Sequence, residues 1–409
     1  MISLEYPLQS LQESRWFKLI CGASFQHLPA VRSLTLAYGL AGADCIDVAA
    51  DPVVVSAAHD GLRALRALRD SFQIPSLDAA HFPANSPYPS TSLEPWLMVS
   101  LNDGNDPHFR KATFDPTACP TDCDRPCETI CPTHAITFAD SSQVPSGLHS
   151  HSVGEDPPSG VIRDRCYGCG RCVTVCPIGH IITESYTVAA GTIAPELFPL
   201  VDAIEVHTHV GRTAAFAQLW QQLQPHIHSL KLIAISCPDG EGFVDYLRSL
   251  HNIMTDSGRQ PLPCPILWQT DGRPMSGDIG KGTTHAAIHL AQQAIAAQLP
   301  GFVQLAGGTN DYTVPRLRSL GLLPHPSLAG VAYGSYARKI LTPVLDALDQ
   351  RQSLHGACPL ESAPDLLEDA VYSAQQLVSQ IKLSAPSSMA GESLQRSTNA
   401  MPFSNLNPV

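Results

Sequence analysis

Eight of the thirteen cysteines in this chain of 409 residues fall in one stretch, as two groups that each end in Cys-Pro. The second group, Cys166, Cys169, Cys172 and Cys176 followed by Pro177, is spaced C-x2-C-x2-C-x3-C-P. That run holds a [4Fe–4S] cluster, with its fourth cysteine serving another cluster. Three closely spaced thiolates wrap one face of a cube, and the proline turns the chain so that the fourth can reach across. The first group is Cys119, Cys123, Cys127 and Cys131, followed by Pro132. Crossed ligation gives Cys119, Cys123, Cys127 and Cys176 to cluster one, and Cys166, Cys169, Cys172 and Cys131 to cluster two.

The two groups also repeat one another. Cys131-Pro-Thr-His-Ala-Ile136 matches Cys176-Pro-Ile-Gly-His-Ile181, and short apolar runs at 113–114 and 161–162 precede them. This stretch resembles the two-cluster ferredoxin domain. The first group departs from the pattern, with three residues between successive cysteines instead of two. Cluster one is therefore [4Fe–4S] if Cys119 is a ligand, and [3Fe–4S] if it is not. Zinc is the alternative for paired cysteines, but two quartets each closed by Cys-Pro argue for iron. The C-x3-C-x2-C triad of radical-SAM chemistry is in neither group.

A net charge of −12 with no Lys/Arg run argues against nucleic acid as the main partner. The opening residues lack the basic start and apolar core of a signal peptide. No apolar run is long enough for a membrane span. Cysteines committed to iron must stay reduced, so the expected location is cytoplasmic. The other five (Cys21, Cys45, Cys237, Cys264, Cys358) sit mostly in apolar runs and read as buried thiols.

Along the rest of the chain, strands of four to six apolar residues alternate with helices, which implies parallel pairing through βαβ units. Strands are expected at 17–21, 45–49, 96–101, 203–208, 231–236, 265–270, 302–306 and 330–333. Excising the cysteine module leaves eight strand–helix units, the count of a (β/α)8 barrel; a doubly wound open sheet is the alternative. The predicted organisation is barrel at 16–103, a ferredoxin-like 2[4Fe–4S] insert at 104–190 after the third strand, and barrel again at 191–350. A C-terminal helical segment at 351–383 and a disordered Ser/Pro/Asn-rich tail at 384–409 follow. Residues 1–15 read as an irregular lead-in, 75–95 as a surface loop and 140–160 as a mobile insert.

A barrel carries its chemistry where the strands end, so the insert should sit at or over the mouth. The period of two in 203–209 puts Glu205, His207 and His209 on one face, toward the axis. They are hydrogen-bonded to their neighbours, serve a substrate or a redox-coupled proton, or hold a metal. The glycine-rich loop 276–284 opens a helix, as an anion-binding turn does. It fails G-x4-G-K-[ST], which disfavours a nucleotide triphosphatase; it is an ordinary loop or a phosphate contact through Lys281. Gly307-Gly308 and Gly334-Ser335 end the last two strands, where barrels often grip a phosphate, here that of a flavin if one is bound.

Taken whole, the chain resembles the cyanobacterial light-dependent period family of iron–sulfur proteins. The resemblance is carried by both cysteine blocks and by segments 18–52 and 305–320, and it covers about residues 10–350. It implies redox-active clusters, reporting of photosynthetic electron flow, and clock or electron-transport proteins as partners; it supplies no catalytic residues. Two functions follow as expectations. In one, the chain senses redox state and relays it to partners. In the other, it is a ferredoxin-fused oxidoreductase passing electrons to a flavin or phosphorylated substrate in the barrel mouth.

Overall fold

The computed structural model describes residues 6–71, 94–138, 160–185, 190–256, 261–273, 280–355 and 358–383. Strands β1 (Trp16–Ile20), β2 (Cys45–Ala49) and β3 (Trp96–Asn102) precede the cysteine stretch. Within it lie β4 (Arg110–Thr113), β5 (Ile136–Thr137), β6 (Gly160–Val161) and β7 (Ile182–Ser185). After it come β8 (Ala203–His207), β9 (Leu232–Pro238), β10 (Ile266–Asp271), β11 (Phe302–Ala306) and β12 (Leu328–Tyr333). Strands β1, β2, β3 and β8 to β12 close into a parallel barrel. Pairing of β12 with β1, Trp16 with Gly330 through Leu19 with Tyr333, completes the ring and excludes the open sheet. At that seam a Cβ on Gly330 (φ +159) would lie 2.0 Å from the Trp16 carbonyl oxygen, so only glycine fits.

The alternation along each strand divides the molecule into layers. Phe17, Leu19, Ile46 and Val48 point outward into one large core shared with the surrounding helices. Trp16, Trp96, Met98, Leu232 and Leu267 point inward and form an apolar floor inside the barrel. Above that floor the interior turns polar, with Lys18, Asp47, Ser100, Glu205, Gln269 and Gln304 all buried.

One peripheral segment differs from expectation, and another is found where it was expected. The lead-in holds a helix, Tyr6–Gln12, whose Leu11 joins the inner floor. Seven residues are too few for a convincing helical period, and burial under the barrel stabilises what propensity alone would not. The C-terminal helix Pro364–Lys382 is part of the barrel's coat. Leu366, Ala370, Ala374, Leu377 and Ile381 are buried in the main core, and Lys382 pairs with buried Asp44. Residues 1–5, most of the loop at 75–95, the insert at 140–160 except Gly160, and the tail at 384–409 lie outside the described residues.

The cysteine module enters between β3 and β8, in the third βα loop. Antiparallel pairs β4–β7 and β5–β6 frame it, and each cysteine group contributes one short helix, Pro126–Ile130 and Arg171–Val175. The residues before those helices, Arg125 (φ 51) and Gly170 (φ 72), adopt the same left-handed turn, so the sequence repeat is also a backbone repeat.

Candidate functional site

The thiols separate into two sets, and the separation follows proximity in space instead of order in the chain. Cys131, Cys166, Cys169 and Cys172 line one small pocket. The Cys172 thiol is pushed up to about 12, by burial first and then by the charges that Cys169, Cys166 and Cys131 would place beside it. In the other set, burial raises Cys119 first, and Cys123 and Cys176 add to it. Cys127 is raised by burial, with Cys176 and Cys119 as its charged neighbours. Cys131 and Cys176 have thus exchanged groups, the arrangement that a proline after each fourth cysteine produces.

Backbone amides aim at these sulfurs. Ala135 N–H donates to Cys131 Sγ at 3.2 Å, and His180 N–H donates to Cys176 Sγ at 3.3 Å. Each donor lies four residues after its cysteine, so the repeated Cys-Pro segment builds the same contact twice. Ala112 N–H, on β4, donates to Cys166 Sγ at 3.3 Å. Sulfur held by N–H donors, beside paired thiols in a pocket, suits an iron–sulfur cluster, whose potential such donors tune. The residues present fit that group.

The module is docked on the barrel and not tethered loosely. Tyr167, next to Cys166, is buried against Phe25, their rings edge to face with centroids 6.2 Å apart. The Arg338 guanidinium lies 4.0 Å over the Tyr167 ring and donates to the Ile20 and Cys21 carbonyls at the end of β1. Gln26 N–H donates to the Asp164 carbonyl at 3.0 Å, and Lys111 Nζ reaches Gln26 Oε1 at 2.8 Å. Cys169 itself packs against the main core. Gly168 (φ +74) presses on the segment 107–110 that runs into β4, where a Cβ would meet the Arg110 carbonyl oxygen at 2.1 Å.

That segment also carries the second feature of the mouth. Asp106 caps a single 3-10 turn by accepting from His108 N–H, and this presents the His108 ring to His207, centroids 4.7 Å apart. Glu205 and His207 do face the axis; His209, beyond the end of β8, reaches back to Asp106 Oδ2 at 3.2 Å. Below them a polar ladder descends. His207 Nε2 meets Glu205 Oε1 at 2.9 Å, Gln269 Nε2 donates to Glu205 Oε1 at 2.9 Å, and Gln304 Nε2 donates to Gln269 Oε1 at 2.5 Å. Lys18 sits beside it, paired with Glu205 and with Asp47 at 3.1 Å. Burial opposes the Glu205 charge, yet Lys18 and His207 bring its pKa down to about 2. Burial likewise opposes a charged His207, and Glu205 followed by Asp106 raises it to about 9.

Sequence reasoning did not single out Lys18, Asp47, Asp106, His108 or Gln269. For Lys18 and Asp47 the signal was present, a charged residue in the middle of an apolar strand. Asp106 and His108 sit in an aperiodic loop and become visible only when β8 places His207 opposite them.

The glycine positions have protein against them. Gly307 (φ +65) faces the backbone of Gly272 and Arg273, and Gly308 (φ +97) faces Thr283, whose hydroxyl donates to the Gly308 carbonyl. Close backbone approach is sufficient reason for both. Gly334 lies near Ile20 and Arg338, and Ser335 Oγ accepts from Arg338 at 3.2 Å. The Lys281 ammonium lies 6.0 Å from the Tyr312 ring; residues 274–279 of its loop lie outside the described residues.

Comparison with known proteins bears on both halves. Residues 119–187 match the family model described as the LdpA Fe–S cluster-binding domain. Residues 199–380 match the light dependent period A C-terminal domain. Light dependent period A of Synechococcus elongatus is 47% identical over 387 residues, 93% of this chain and 95% of that one. The similarity thus runs past residue 350 and takes in the C-terminal helix. A Coccidioides immitis protein assigned as a fructose-1,6-biphosphate aldolase is 9% identical, covering 92% of this chain and 94% of its own, with a TM-score of 0.34.

Proposed function

The chain belongs to the light dependent period A family, and from that premise we propose that it is a redox sensor in which two iron–sulfur clusters report electron-transport state to partner proteins. The observation that carries the reading is the exchanged pair of thiol quartets, each with an N–H donor four residues after its fourth cysteine. Cys131, Cys166, Cys169 and Cys172 would hold one [4Fe–4S] cluster; Cys119, Cys123, Cys127 and Cys176 would hold the other. Bound there, the clusters supply one-electron redox chemistry.

The chain's own residues supply the response. The pocket of Cys131 and Cys166 adjoins Tyr167, and the Arg338 guanidinium over that ring is tied to the end of β1. On the same seam the Arg165 guanidinium lies 3.9 Å from the Asp349 carboxylate, and a change of one unit of charge nearby alters the balance that holds Arg338 and this half-exposed pair in place. Helix Ser335–His355 carries Arg338 and Asp349, so the readout surface is the seam between this helix and the module. Clock or electron-transport proteins in a reducing, cytoplasmic compartment are the partners proposed. Among the described residues no helix is long and apolar enough to cross a membrane.

An oxidoreductase is the second reading, favoured by the Asp106–His108–His207 group at the mouth beside the cluster-two loop. Against it stands the interior, where Lys18, Glu205, Gln269 and Gln304 fill the axis. Hydrogen exchange on the anaerobic holo-protein, oxidised and then reduced, tests the sensor. Altered protection in residues 163–171 and 335–349, without any added substrate, is expected. Identical protection in both states would overturn it.

A further inference from the structure

The barrel mouth holds donors that neither quartet uses. Asp106, His108 and His207 each place one ligand-capable atom within 4.8 Å of the others. His207 Nε2 lies 2.9 Å from Glu205 Oε1, an ionised carboxylate that can only accept, so this nitrogen carries the hydrogen. In a neutral ring Nδ1 is then a lone pair. It faces Asp106 Oδ2 at 3.8 Å and Ser236 Oγ at 3.3 Å, and the Ser236 hydroxyl hydrogen is directed to Asp271. A positive centre, either a proton on Nδ1 or a metal ion, is what this nitrogen and the two oxygens around it would share. A second imidazole reaches the same carboxylate: His209 Nε2 lies 3.2 Å from Asp106 Oδ2.

The geometry points to a divalent first-row transition-metal ion at this place, held by Asp106, His108 and His207, with His209 as a fourth donor. Imidazole with one carboxylate suits zinc, ferrous iron or manganese, and leaves positions open to water or substrate. His108 Nδ1 now lies 2.7 Å from Asp106 Oδ1, a direct contact that an ion bound at ligand distances of about 2.1 Å would replace. Glu205 stands behind His207 as the carboxylate that orients a ligating imidazole. The site is separate from the cysteine quartets and does not rest on them. It is adjacent to them, however, since the Asp106–Phe109 turn leads directly into β4, where Ala112 donates to Cys166 Sγ.

A proton on His207 would fill the same gap, and metal binding distinguishes the two. The oxidised holo-protein, purified without oxygen, is dialysed against zinc, and zinc and iron are measured together. One zinc per chain is expected at unchanged iron, with zinc affinity falling at least tenfold in Asp106→Asn and in His108→Ala. Zinc should also raise the unfolding temperature of the unmodified protein and not that of the variants. His108 is only half-buried, so its variant carries the test if Asp106→Asn does not fold. Equal zinc binding in unmodified protein and variants, no zinc binding, or zinc gained only as iron is lost would each overturn the site.

Discussion

Ala112 and Cys166 are joined by an N–H···S contact of 3.3 Å, so the strand that leaves the barrel mouth donates directly to a sulfur of the second quartet. Four residues earlier on the same segment, His108 faces His207 at the top of β8. Cluster ligand and barrel mouth are thus two ends of one short stretch of chain.

Exchange of the fourth cysteines has a direct genetic signature. Cys131→Ser should remove the cluster shared with Cys166, Cys169 and Cys172 while leaving the one that includes Cys119. Cys176→Ser should do the reverse. Electron paramagnetic resonance of the reduced proteins reads which signal survives; loss of the cluster local in sequence would contradict the exchange. Among the eight, Cys119→Ser should be mildest, given its irregular spacing and partial exposure.

The amide on His180 can be removed without removing a ligand. His180→Pro deletes the donor to Cys176 Sγ, whereas His180→Ala keeps it and removes only the ring. If the bond is worth about 1 kcal/mol, the potential of that cluster should fall by about 40 mV in the proline variant alone. A redox titration of both variants checks this, and equal shifts in the two would assign the effect to the imidazole.

Lys18 is fully buried and faces both Asp47 and Glu205. Lys18→Met keeps most of the volume and leaves two carboxylates without their partner, so it should cost about 3–5 kcal/mol. Denaturant unfolding measures this. A loss below about 1 kcal/mol would mean that the interior charges rearrange freely.

Sequence reading reached the barrel because alternation fixes where strands lie, and the eight observed barrel strands fall within two residues of the expected ones. It reached the cysteines because their spacing is itself the chemistry. It missed the Tyr6–Gln12 helix, which is held by Leu11 against a floor that exists only after closure. The mouth group escaped for a similar reason. His207 was legible from the period of two, but Asp106 and His108 lie in a turn without periodicity, and only the fold sets them beside it. At Gly307 and Gly308 the fold adds a second reason for glycine beside the phosphate reading: a neighbouring loop lies where a Cβ would stand.

The insertion of the module can be tested by removing it. Arg110 and Ser185 are opposite one another in the β4–β7 pair, so deleting residues 111–184 joins points already close. The shortened chain should fold, with lower stability because Tyr167 no longer covers Phe25. Circular dichroism and thermal unfolding read the outcome, and loss of a cooperative transition would show that barrel and module require a common core.

Two clusters in one module remain the centre of this account, and iron stoichiometry measures them most directly. Protein purified without oxygen should contain about eight irons and eight acid-labile sulfides per chain, as two [4Fe–4S] clusters require. About seven irons would place a [3Fe–4S] cluster at the irregular group. Four or fewer, with the protein folded and its sulfide in the same proportion, would contradict the two-cluster assignment.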